Sequence, residues 1–154
     1  MPGHFSKRTF DFLFDLDVHN SRDWFEQNRE RFEQDARAPM LAFIDEVGEH
    51  LHSHVSKHLL ADVRKVGGSM FRIHRDVRFS ADKTPYKTHL GAQFRHEQGR
   101  DVHAPGVYLH LEPGNCWMGA GVWRPDRDAL IAIRQRMVDK PATWTRVASA
   151  EATQ

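Results

Sequence analysis

A chain of 154 residues and 17.9 kDa, with 22 Lys plus Arg against 21 Asp plus Glu and 40% hydrophobic residues, can bury about 70% of its extended surface as a single domain over 1–154. One cysteine excludes an internal disulfide and any zinc module built on four cysteines or on paired cysteines and histidines. No apolar run approaches the roughly 18 residues of a membrane span and the opening MPGHFSKRTF lacks a signal peptide's apolar stretch, so a cytoplasmic chain without membrane contact is expected.

The N-terminal part reads as three helices. Phe10, Leu13, Phe14 and Val18 form one stripe behind a cap at Ser6. Asn20 suits the cap of a second helix, with Asp23 complementing its positive end and Trp24, Phe25, Asn28 and Phe32 following. Pro39 fits the first turn of a third, whose Met40, Phe43, Ile44, Val47, Leu51 and Val55 share a side. Gly67 and Gly68 break the pattern, and from Met70 the period switches to two. Phe71, Ile73, Val77 and Phe79 then lie on one strand face, with Arg72, His74, Asp76, Arg78 and Ser80 on the other. Arg75 violates the alternation, which requires a bulge or a carboxylate partner. Further strands place Leu90, Ala92 and Phe94, then Val107, Leu109 and Leu111, on an apolar face, and a fourth near Trp117–Trp123 is interrupted by Gly119 and Gly121. Asp126 and Asp128 open a closing helix with Leu130, Ile133 and Met137 inward, and the tail after Pro141 has Trp144 and Val147 as apolar anchors. Strands close in sequence without crossover helices give an antiparallel meander. The expected fold class is α+β, with N-terminal helices packed on one face of that sheet and a helix after it.

Charge is unevenly distributed. Residues 1–62 carry net −5, residues 63–104 net +5 and residues 105–154 net +1. A basic centre beside an acidic helical part can steer an anion inward, or the two can neutralise one another. The density peaks in RDVRFSADKTPYK, residues 75–87. Thr84 before Pro85 favours extended backbone, and Ser80 and Asp82 are turn formers, so the segment reads as a rigid loop between strands. Arg72, Arg75 and Arg78 offer forked donors, and Lys83 and Lys87 point charges, for a phosphate or carboxylate. Asp76 and Asp82 can orient them or act as general base, and Tyr86 can form a wall. An internal ion-pair network that pins the loop is the competing interpretation.

The segment resembles the signature RDxRFSxDKTPYK of widespread conserved hypothetical proteins in bacteria and fungi, classed as a domain of unknown function. The likeness extends upstream to Trp24-Phe25, Asn28 and Phe71-Arg72-Ile73. Downstream it runs through Pro105-Gly106, Tyr108-Leu109, residues 119–123, Pro125, Leu130 and Ile133-Arg134. It implies membership of an uncharacterised family and supplies no reaction, cofactor or catalytic residue. Phe32 stands where such proteins often have Tyr, and their pattern continues beyond residue 154, so the C-terminal part of it is expected to be missing here.

Other chemistries have weaker signals. By strand parity His74, Asp76, His89 and His110 can share a face and hold a transition metal, but no close HxxxH pair supports them and no metal site is assigned. His50, His54 and His58 recur at helical spacing and read as solvated or partly buried. Tyr86, Tyr108, Trp117 or Trp123 can stack on nucleic-acid bases if they share the arginine face, yet pI 8.0 lacks a dedicated binder's basic excess. Cys116 reads as a small buried thiol, and GxSxG, Walker A and GxGxxG motifs are absent from the sequence. The resulting expectation is a small-anion site built from Arg72, Arg75, Asp76, Arg78, Asp82, Lys83, Tyr86 and Lys87. The alternatives are a hydrolase or transferase using Asp76 or Asp82 as base, a nucleic-acid module, and a structural or interaction module. Cofactor and oligomeric state stay unassigned.

Overall fold

The computed structural model describes residues 3–97 and 105–149; Arg100 and Asp101 of the basic block and the side chain of Val147 lie outside the described residues. Helix α1 spans Lys7–Val18 and buries Thr9, Phe12, Leu13 and Leu16, whose spacing is that of a single helical stripe. Phe14 and Val18, expected inward, are exposed instead. The run FDFLFDL offers two overlapping apolar faces. The face with Phe12 is the one selected, because that ring meets Trp24 at 5.9 Å and Phe32 at 5.7 Å.

Helix α2, Arg22–Gln27, is capped by Ser21 rather than by Asn20: the Trp24 N–H donates to Ser21 Oγ at 3.3 Å. Helix α3 is continuous over 29–55 and therefore begins before the expected start at Pro39. It comprises α-helical Arg29–Arg31 and Ala38–His50 alternating with π-helical Phe32–Arg37 and Leu51–Val55. Proline inside a helix lacks an N–H and crowds the carbonyl one turn earlier. The wider π turn, in which the Ala38 N–H donates to Glu33 O, directly precedes it and carries the helix through. Along α3, Phe32, Ala36, Met40, Ile44 and Leu51 are buried, while Val55 is exposed; His58 falls beyond the helix end.

The sheet is antiparallel in the order β1 (Leu59–Leu60), β2 (Leu90–His96), β3 (Gly106–Leu111), β4 (Trp117–Gly121). The expected alternation holds in β2 and β3: Leu90, Ala92 and Phe94 beside Val107, Leu109 and Leu111 form a buried face against the helices. Residues of β4 are exposed throughout.

The expected strand from Met70 to Ser80 is not one. It makes isolated bridges at Met70–Ala92 and His74–Tyr86 and bends at Ile73. The bend breaks the two-residue period. Ile73 enters the core, Phe71 lies across the sheet's other face against Tyr108, and Phe79 is 96% exposed.

After β4, Asp126 accepts from the Ala129 N–H at 2.7 Å and caps α4, Arg127–Asp139, which is followed by α5, Pro141–Ala148. Leu130 and Ile133 do not point into a core as expected; α4 has no buried residue, because its apolar stripe has no buried counterpart among the described residues. Trp144, the expected tail anchor, is 48% exposed. No described helix is long and apolar enough to cross a membrane.

Candidate functional site

The charged segment forms a hairpin-like arm. Residues 69–75 run antiparallel to 85–93 through Phe71 N–H to Gly91 O at 2.9 Å, and through Gln93 N–H to Ser69 O, Lys87 N–H to Ile73 O and Arg75 N–H to Pro85 O, each at 2.8 Å. Residues 76–84 close the loop between the two stretches. Asn20, free of capping, fixes this arm to the helices by hydrogen bonds to both backbone groups of Tyr86.

Within the loop most charges are satisfied locally. Arg75 Nη1 donates to the Asp82 carboxylate and to Thr84 Oγ1, so the residue that broke the strand alternation has the carboxylate partner it required. Asp82 also accepts from the Thr84 N–H at 2.9 Å. The Arg75 hydrogen bond, then those of Thr84, hold the Asp82 carboxyl at about 2. Arg78 grips Asp76 through Nε at 2.9 Å and Nη2 at 2.7 Å, and these bonds hold Asp76 at about 2 as well. Lys83 Nζ donates to Val77 O at 2.9 Å. Lys87 Nζ donates to Arg72 O at 3.0 Å and sits 5.4 Å over the Phe71 ring; burial pushes its ammonium below the ordinary lysine value.

Arg72 differs from the rest of the set. Its exposed side chain makes no hydrogen bond or ion pair among the described residues, and its charge reaches His74, Asp76 and Lys87. Sequence patterning did not reveal what surrounds it. Burial, followed by the charges of Arg72, Arg29, Arg22 and Arg37, pushes His74 below its ordinary value, so guanidinium groups from α2, α3 and the hairpin arm act on one imidazole. Arg29 pairs with Glu26 at 3.0 Å and Arg37 with Glu33, whereas exposed Arg22 has no such partner among the described residues. Tyr86 is buried and stacks on Phe25 at 4.1 Å; burial and the Glu26 charge raise its hydroxyl, which Arg22 and Arg29 oppose.

The face of the sheet turned from the helices carries a separate constellation. Gly91 lets Phe71 and Tyr108 approach over it, since a Cβ there would meet Tyr108 Oη at 3.0 Å and Phe71 Cδ2 at 3.1 Å. Both rings border a cleft of about 700 Å³ with Gln93, Trp117 and Trp123. Beside it His89 and His110 lie with ring centroids 4.3 Å apart, and Trp117 stacks on His110 at 5.4 Å.

The set of His74, Asp76, His89 and His110 that strand parity allowed, and that was not assigned as a metal site, is not assembled as a whole; only His89 and His110 come together. His74 packs on Phe25 and Tyr86, and Asp76 pairs with Arg78, because the bend at Ile73 turns that arm away. Glu112, not anticipated, joins the two histidines instead. Cys116 is exposed rather than buried, its Sγ–H directed to Glu112 O at 3.3 Å, because it lies in the short turn between β3 and β4. Tyr108 and Trp117 share the open face, while Tyr86 lies in the core and is closed to stacking on a base.

A profile of a conserved hypothetical protein family, DUF2461, matches residues 8–154. No curated protein and no solved structure matches the chain.

Proposed function

The chain belongs to the conserved hypothetical protein family DUF2461, and we propose that it binds a small phosphate- or carboxylate-bearing ligand at the junction of α2, α3 and the hairpin arm. One observation carries this reading. Arg72 and Arg22, whose charges converge on His74, have no side-chain partner among the described residues, while the surrounding cations are tied to carboxylates or carbonyls. Forked, unengaged guanidiniums are the groups that grip planar or tetrahedral anions in two-point fashion.

Under this reading Arg72 and Arg22 make the primary contacts, His74 borders the anion, and Lys87 adds a point charge; Tyr86, in the core, supports the arm from behind rather than forming a wall. Arg75, Asp76, Arg78, Asp82 and Lys83 keep the loop rigid, so little ordering entropy is lost on binding. Carboxyls held at about 2 are feeble proton acceptors at neutral pH, which favours recognition over base catalysis by Asp76 or Asp82.

Thermal-shift titration with inorganic phosphate, pyrophosphate and citrate at low ionic strength tests it. Wild type is stabilised in a concentration-dependent way. Arg72→Ala and Arg22→Ala each weaken binding about tenfold or more, the scale of a lost charge-assisted hydrogen bond. Asp82→Asn lowers the basal melting temperature but keeps the response. No shift with any anion, or an undiminished shift in Arg72→Ala, overturns the reading.

A further inference from the structure

We propose that His89, His110 and Glu112 form a binding site for a divalent transition ion of the zinc type, on the sheet face turned from the helices. The site does not depend on the anion reading. One ligand atom from each residue lies within 4.8 Å of the other two. Sequence spacing alone does not bring them together. In the β2–β3 register Leu90 pairs with Leu111, so the next pair outward is His89 and Glu112, and His110 lies two residues before Glu112 on the same face.

Ligands of a tetrahedral zinc ion at about 2.0–2.1 Å sit about 3.3 Å from one another. His110 Nε2 and Glu112 Oε2 are already 3.3 Å apart. That separation is long for a charge-assisted hydrogen bond and suits two donors facing a common ion. The His89 ring has no hydrogen bond among the described residues although it is half-buried and packed against His110. An imidazole in that position has a ring nitrogen available for coordination.

The surroundings are those of a supported metal ligand set. Tyr108 Oη lies 3.2 Å from His110 Nδ1, where it can accept that N–H and leave Nε2 for the ion. Glu112 is oriented by Asn115 Nδ2 at 3.0 Å and Thr88 Oγ1 at 3.3 Å. The His110 side chain is 12% exposed and covered by the Trp117 ring. Two imidazoles and one carboxylate select borderline ions over calcium or magnesium, whose sites are built from oxygen. Three protein ligands also leave a coordination position open. Tyr108 and Trp117 line both this cluster and the adjoining cleft, so a cleft-bound molecule would lie beside the ion.

The test is titration of metal-stripped, full-length protein with Co²⁺, read by its visible absorption, and with Zn²⁺ in competition. One ion per chain is expected, displaced by Zn²⁺. His89→Ala, His110→Ala and Glu112→Gln each weaken binding at least tenfold, while His50→Ala, His54→Ala and His74→Ala do not. Folding is checked by circular dichroism. If an alanine variant is unfolded, the near-isosteric Glu112→Gln and histidine Hε1 shifts of wild type with Zn²⁺ decide: selective movement of His89 and His110 supports the site. Failure of wild type to bind one ion, unchanged affinity in a folded Glu112→Gln, or equal loss in the control variants overturns it.

Discussion

Asn20 and Tyr86, 66 residues apart, are joined by a reciprocal pair of hydrogen bonds: Asn20 Nδ2 donates to Tyr86 O at 3.0 Å, and the Tyr86 N–H donates to Asn20 Oδ1 at 3.0 Å. A side-chain amide here does what a neighbouring strand would do. It couples the turn before α2 to the hairpin arm that carries Arg72, His74 and Lys87. Together with the Phe25–Tyr86 stack and the buried Ile73, this pair of hydrogen bonds positions the basic cluster against the helices.

Replacing Asn20 by Ala leaves a part-buried N–H and C=O without their partner. The expected loss is about 2–3 kcal/mol, since stranding a buried polar group costs about 1–3 kcal/mol. Tyr86→Phe leaves stability nearly unchanged, because the hydroxyl has no hydrogen-bond partner among the described residues while the Phe25 stack is kept. Urea denaturation of both variants measures this; a neutral Asn20→Ala contradicts it.

The paired loop carboxylates give a pH signature. Asp76 and Asp82 titrate near 2 in the folded chain against an ordinary 3.8. A depressed folded value means that the unfolded chain takes up protons first as pH falls. Their stabilisation is present above pH 3.8 and lost as pH falls through about 2. Both groups are exposed, so the effect is small. The melting-temperature gap between wild type and Asp76→Asn/Asp82→Asn is therefore expected to narrow from pH 5 to pH 2. A gap that stays constant speaks against the pairing.

Neighbouring phenylalanines in α1 are expected to differ sharply. Phe12 is fully buried among Trp24 and Phe32, so Phe12→Ala loses about 3–5 kcal/mol. Phe14→Ala and Phe79→Ala, at 61% and 96% exposure, change stability by less than about 0.5 kcal/mol. Chemical denaturation of the three variants reads the helix register directly, and a large loss in Phe14→Ala would reverse the assignment.

Much of the architecture was legible in the sequence for a physical reason. In β2 and β3 one face is buried and the other is not, so strict alternation survives in Leu90-Ala92-Phe94 and Val107-Leu109-Leu111. In α1 the abundance of phenylalanine blurred the stripe, and tertiary contacts of Phe12 chose among faces that periodicity could not separate. Residues 70–80 misled because alternation continues across the bend at Ile73, where the chain no longer follows a strand. The density of charge in residues 75–87 was visible, but not its partition into cations engaged at home and cations without a side-chain partner among the described residues, since Arg22 joins from another element. Glu112 escaped notice because strand register, rather than spacing along the chain, sets it opposite His89.

The most direct measurement is an NMR titration of the arginine Nε–Hε resonances with pyrophosphate at low salt. Arg72 and Arg22 are expected to shift together with saturation, while Arg78, held by Asp76, stays in place. Movement of Arg78 with Arg72 and Arg22 silent, or no saturable shift at all, would contradict a ligand site on the Arg72 and Arg22 guanidiniums.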